Sequence, residues 1–109
     1  MSPQIASTNP TDRRRRYLVH LMTAQDESTG VRRYIARIRL WSARANPRAK
    51  TAEHDFSDEC ELIEVMNPLL PKGSDVRDVL GYVESPEGFL YLLQLSQTQA
   101  AALGWTYEL

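Results

Sequence analysis

A single cysteine, Cys60, stands in a chain of 109 residues, so no intrachain disulfide can form and a reducing compartment is compatible with the sequence. Glycine is sparse, and none of the five glycines is close enough to another to build a phosphate-cradling loop. The longest unbroken apolar run is Phe89–Leu93, far short of the roughly twenty residues that a membrane-spanning helix needs. No membrane partner is therefore expected. Lysine is almost missing: only Lys50 and Lys72 occur, and every other basic side chain is arginine. Its planar fork fits phosphate and carboxylate geometry and stacks on aromatic rings. The stretch MSPQIASTNPTD at residues 1–12 lacks the basic head and apolar segment of a secretory leader, so the expected location is the cytoplasm.

What is present is ordinary in amount and uneven in placement. Hydrophobic residues make up 42% of the chain and charged residues 25%, a globular composition. A chain of this length supports one core. The expected organisation is a flexible tail over residues 1–12, then a single α+β domain over residues 13–109. The net charge of −1 hides a division after Lys50. Up to that point the only acids are Asp12, Asp26 and Glu27, and beyond it the only basic residues are Lys72 and Arg77.

The motif RRYLVHL at residues 15–21 returns as RRYIARI at residues 32–38. Residues 17–23 are β-branched, aromatic or long apolar, and QDESTG after them collects turn formers, which predicts a hairpin. In the second arm, residues 31–42, Tyr34, Ala36, Ile38 and Leu40 share one face. Arg33, Arg37 and Arg39 share the other, joined by Ile35 and Trp41. Val31, Tyr34, Ile35, Ile38 and Trp41 also fit a helical stripe. The β-favouring residues and the preceding turn select strand. In an antiparallel pair the two Arg-Arg-Tyr units enter at opposite ends, which spreads positive charge along the ribbon.

Residues 43–55 read as a long loop. A helix capped by Ser57 or Asp58 should follow, with Leu62, Ile63, Met66, Leu69 and Leu70 along one side; ELIEV also fits a short strand, and Pro68 limits either element. Another helix, capped by Ser74, carries Val76, Val79, Leu80 and Val83. FLYLLQL reads as a strand buried on both faces. Ser96 and Gln99 make a capping box for a short helix ended by Gly104, and Trp105, Tyr107 and Leu109 alternate as a closing strand would. The expected fold is an antiparallel sheet of about four strands starting with the Arg-rich hairpin, with two or three helices packed on one face.

Catalytic chemistry finds little support. Cys60 with His20 or His54 lacks an activating pattern, and Asp58, Glu59 and Glu61 would oppose thiolate formation, so a partly buried structural cysteine is the expectation. His54, Asp55, Asp58 and Glu59 would suit a metal only if a helix began early enough to set residues 54 and 58 one turn apart. His20 is expected to be a hydrogen-bonded sheet histidine. No enzyme activity, metal or cofactor is expected.

The basic hairpin is the constellation that suggests a function. Arg13–Arg16, Arg32, Arg33, Arg37, Arg39, Arg44 and Arg48, interleaved with Tyr17, Tyr34 and Trp41, offer charge for a backbone and flat rings for bases. The candidate binding residues are Arg15, Arg16, Arg32, Arg33, Arg37, Arg39, Trp41 and Arg44. The expected partner is nucleic acid or a nucleoprotein complex. The competing possibility is that the chain's own acids neutralise the arginines. A second functional reading is a protein-interaction module, such as a small regulator or a mobile-element inhibitor of a host complex, in which Asp58, Glu59 and Glu61 meet a basic protein. The opposed charges of the two halves also allow a homodimer.

Overall fold

The structure, a computed structural model, describes residues 13–44 and 49–107. The expected tail at residues 1–12 lies outside the described residues. Strands β1 (Arg15–Gln25) and β2 (Arg32–Leu40) form the hairpin, with Tyr17 opposite Leu40 and Gln25 opposite Arg32. The intervening turn is tied internally. Gly30 donates to the carbonyl of Asp26 over 2.7 Å, and the Asp26 carboxylate accepts from the backbone and hydroxyl of Ser28. Those Ser28 bonds lower the Asp26 pKa from its ordinary value.

The helix alternative for residues 31–42 fails because Tyr34, Ala36 and Ile38 are buried in strict alternation with exposed or half-buried neighbours. Other expectations need correction. Residues 51–55, read as part of a loop, belong to strand β3 (Thr51–Phe56), which lies beside β2. Ala52 and Phe56 are its buried residues, but Glu53, His54 and Asp55 masked the pattern with polar side chains of poor strand preference. Conversely, of the closing strand expected through Trp105, Tyr107 and Leu109, residues 105–107 form no strand and Leu109 lies outside the described residues. The Trp105 N–H turns back to the carbonyl of Ala100.

Helix α1 (Glu59–Met66) starts at Asp58, whose carboxylate accepts from the backbone of Glu61 over 2.8 Å. Such a cap is worth about 1 kcal/mol. The helix ends at a 3-10 turn over Asn67–Leu69, where Pro68 cannot donate to continue the ladder. The next element begins one residue later than expected: Asp75, not Ser74, caps a 3-10 turn over Val76–Val79 that runs into helix α2 (Leu80–Val83). Hydrogen bonds from Arg77 hold the Asp75 carboxyl well below the usual carboxylate range. Asn67 clasps this corner, donating to Asp75 and accepting from the backbone of Val76.

Strand β4 (Phe89–Leu95) returns beside β1, and helix α3 (Gln97–Ala101) carries the expected capping box between Ser96 and Gln99. All pairings are antiparallel, in the order β3-β2-β1-β4. Tyr17, Val19, Leu21, Tyr34, Ile38, Phe56, Leu93 and Leu95 line one sheet face. There they meet Leu62, Met66, Val76, Val83, Ala100, Leu103 and Trp105 in one buried cluster. Gly104, at φ +92°, sits against β3, where an added Cβ would come 2.8 Å from the backbone oxygen of Glu53. Only glycine closes α3 onto β3 in this way.

The other sheet face is open. FLYLLQL is therefore an edge strand buried on one face only, and not on both as its composition suggested: Leu90 is 57% exposed and Leu92 52%.

Candidate functional site

Strand alternation divides each Arg-Arg pair between the two sheet faces. Arg15, opposite Leu95, and Arg32, opposite Gln25, fall on the helix-bearing side. Arg16, Arg33, Arg37 and Arg39 fall on the open side with Trp41. The repeat thus supplies one arginine per face at each end of the ribbon.

Register then separates the two ends. At the turn end, Arg32 pairs with Glu84 over 2.8 Å, Arg33 with Asp55 over 3.6 Å and Arg37 with Glu53 over 2.5 Å. Glu53 lies directly across from Arg37, and Asp55, across from Ile35, is the diagonal neighbour two residues off from Arg33 on the same face. Each of these side chains is still about half exposed, so each pair contributes no more than about 1 kcal/mol. Part of the arginine set is therefore neutralised by the chain's own acids.

At the open end the pattern changes. The residue across from Arg39 on β3 is Thr51, which has no charge. Among the described residues, no carboxylate lies within ion-pair distance of Arg13, Arg14, Arg16, Arg39, Arg44 or Lys50. The Arg16 guanidinium lies 6.0 Å from the centroid of the Trp41 ring, and the Lys50 ammonium lies 4.8 Å from that of Tyr107. Arg14 donates to the Gln94 carbonyl, and the backbone of Arg44 donates to the Ser42 hydroxyl. Trp41 and Tyr107 remain 36% and 47% exposed. A cleft of about 280 Å³ lined by Leu40, Trp41, Ser42, Lys50, Trp105 and Tyr107 adjoins them. On the open face, Arg37 and Arg39 also border a depression of about 220 Å³ with Leu18, His20 and Leu90. Arg48 lies outside the described residues.

The remaining candidates are placed apart. Asp58 and Glu61 are engaged at the start of α1, where the Ser57 hydroxyl donates to Glu61 over 2.6 Å and lowers its pKa; Glu59 has no such bond among the described residues. Cys60 is exposed on α1, a correction to the expected partial burial. His20 lies on the open face and donates from Nε2 to the Glu87 carbonyl over 2.6 Å, the structural role expected for it. His54 and Asp55 are consecutive on a strand and point to opposite faces, so the helical spacing needed for a metal does not arise. Among the described residues, no group of three or more His, Cys, Asp or Glu side chains is placed to hold a metal ion.

Two contributors escaped the sequence reading. Lys50 was counted as charge but not linked to Tyr107, because their meeting depends on where the chain goes after α3. The exposure of Leu90 and Leu92 had a signal in Gln94, which continues their face of β4 and marks it as open.

Set against protein-family models, curated proteins and solved structures, the chain matches none. It is a small α+β domain with a basic hairpin, an arrangement consistent with a module that binds a charged partner. No helix among the described residues is long and apolar enough to cross a membrane.

Proposed function

We propose that this protein is a non-catalytic intracellular binding module that engages nucleic acid or a nucleoprotein through the open end of its arginine ribbon. The supporting observation is that, among the described residues, Arg13, Arg14, Arg16, Arg39, Arg44 and Lys50 toward the open end have no carboxylate partner, with Arg16 and Lys50 beside exposed Trp41. The Arg16, Arg39 and Arg44 guanidinium groups would replace condensed counterions on a phosphate backbone, and the indole offers a platform for one base. The paired arginines at the turn end orient the ribbon more than they attract the ligand.

A basic protein docking on Asp58, Glu59 and Glu61 has less support, since Asp58 and Glu61 already hold the first turn of α1. Exchanging them would disturb the fold together with the contact.

The test is titration of a fluorescent oligonucleotide, single- or double-stranded, at rising salt. If the site covers about four phosphates, affinity falls about a hundredfold between about 50 and about 200 mM salt. Absence of binding, or affinity indifferent to salt, overturns the proposal.

A further inference from the structure

The two edges of the sheet carry opposite signals about association. Edge strand β3, Thr51–Phe56, bears Glu53 and Asp55, and Gly104 lies against its backbone. Charges on a short edge discourage pairing with another chain. Edge strand β4, Phe89–Leu95, has no charged residue and no proline over its length, and Leu90 and Leu92 project from its open face more than half exposed. Among the described residues no strand pairs with its outer backbone, whose one bonded group is the Gln94 carbonyl at the far end, an acceptor from Arg14. Such an edge is a template for another strand.

We propose that the outer edge of β4 docks the same edge of a second copy of this chain, joining two sheets across a two-fold axis. The strand is complementary to itself. With the axis at Tyr91, Phe89 stands opposite Leu93 of the second copy, and Leu90 stands opposite its Leu92. The exposed leucines of both copies then form one apolar patch and exclude water together. Charge agrees with this direction. β4 is preceded by exposed Glu87, and its far end lies beside Arg14, which donates to the Gln94 carbonyl. Antiparallel pairing brings Glu87 of each copy toward Arg14 of the other. The contact is isologous, and the outer edges of the joined sheet are the charged β3 strands, so assembly stops at two copies.

The test is the solution mass of the full chain by light scattering at about 100 µM, in low and in high salt, for wild type and for L90K/L92K. The substituted residues are exposed, and circular dichroism checks that the fold is retained. The proposal expects twice the chain mass for wild type at both salt levels and the single-chain mass for the variant. A monomeric wild type overturns it. So does a dimer that survives the substitutions or dissolves in salt, since either places the contact elsewhere. If the variant does not fold, amide exchange on wild type decides: outward N–H groups of Phe89–Leu93 that lose protection on dilution support the pairing, and unprotected groups at every concentration refute it.

Discussion

At the turn end of the hairpin Arg32, Arg33 and Arg37 each meet a carboxylate of the same chain, whereas at the open end Arg13, Arg16, Arg39 and Arg44 meet none among the described residues. Residue type is the same at both ends. What differs is the neighbour that register supplies: β3 sets Glu53 and Asp55 beside the turn half of β2 and Thr51 beside Arg39. Composition says how much positive charge the ribbon holds, and pairing register decides which part is left to attract a partner.

The comparison breaks or holds most clearly under paired triple substitutions. R16A/R39A/R44A should weaken oligonucleotide binding by about a hundredfold and lower the salt slope by about 2.7, or about 0.9 for each lost phosphate contact. R32A/R33A/R37A should weaken it less than about fivefold, because those charges are already partly neutralised. Equal losses from the two triples would erase the distinction. A smaller effect of opposite sign is expected from E53Q/D55N, which releases Arg33 and Arg37: affinity should rise by about threefold to tenfold, read in the same titration, with a steeper salt dependence.

Stability measurements sharpen the contrast further. R37A should cost less than about 1 kcal/mol in urea unfolding, as expected for an exposed pair. Its strand neighbour Ile38 is fully buried, and I38A should cost about 2 to 5 kcal/mol. The smallest effect concerns acid. Asp26 has a lowered pKa, so its contribution to the turn is complete above its ordinary value of 3.8 and is lost as pH falls below that value. The difference in melting temperature between wild type and D26A should therefore shrink in acid.

Much of this fold could be read from local pattern. The hairpin, its facing residues, the capping box at Ser96 and the valine stripe from Val76 to Val83 follow from period and cap chemistry. The failures lie where tertiary neighbours decide. β3 hides a strand in TAEHDF because only Ala52 and Phe56 reach the core. Trp105 is buried as a strand residue would be, yet its backbone folds back on α3. The candidate site was legible as a set of arginines but not as two groups, since no short-range rule places Glu53 across from Arg37 while leaving Arg39 beside a threonine.

The strand order has a kinetic corollary. β1 lies between β2, its immediate successor in the chain, and β4, which arrives only after β3, α1 and α2. Closing the six-residue connection between Gln25 and Arg32 costs little entropy and takes roughly microseconds. Bringing Phe89 to Leu21 closes a far longer loop. Assembly should therefore run from the hairpin outward, with Phe89–Leu95 arriving last as a latch over Tyr17 and Val19. During synthesis on the ribosome the flank of β1 stays bare until that latch emerges, so a nascent chain halted before Phe89 should be the form most in need of a chaperone.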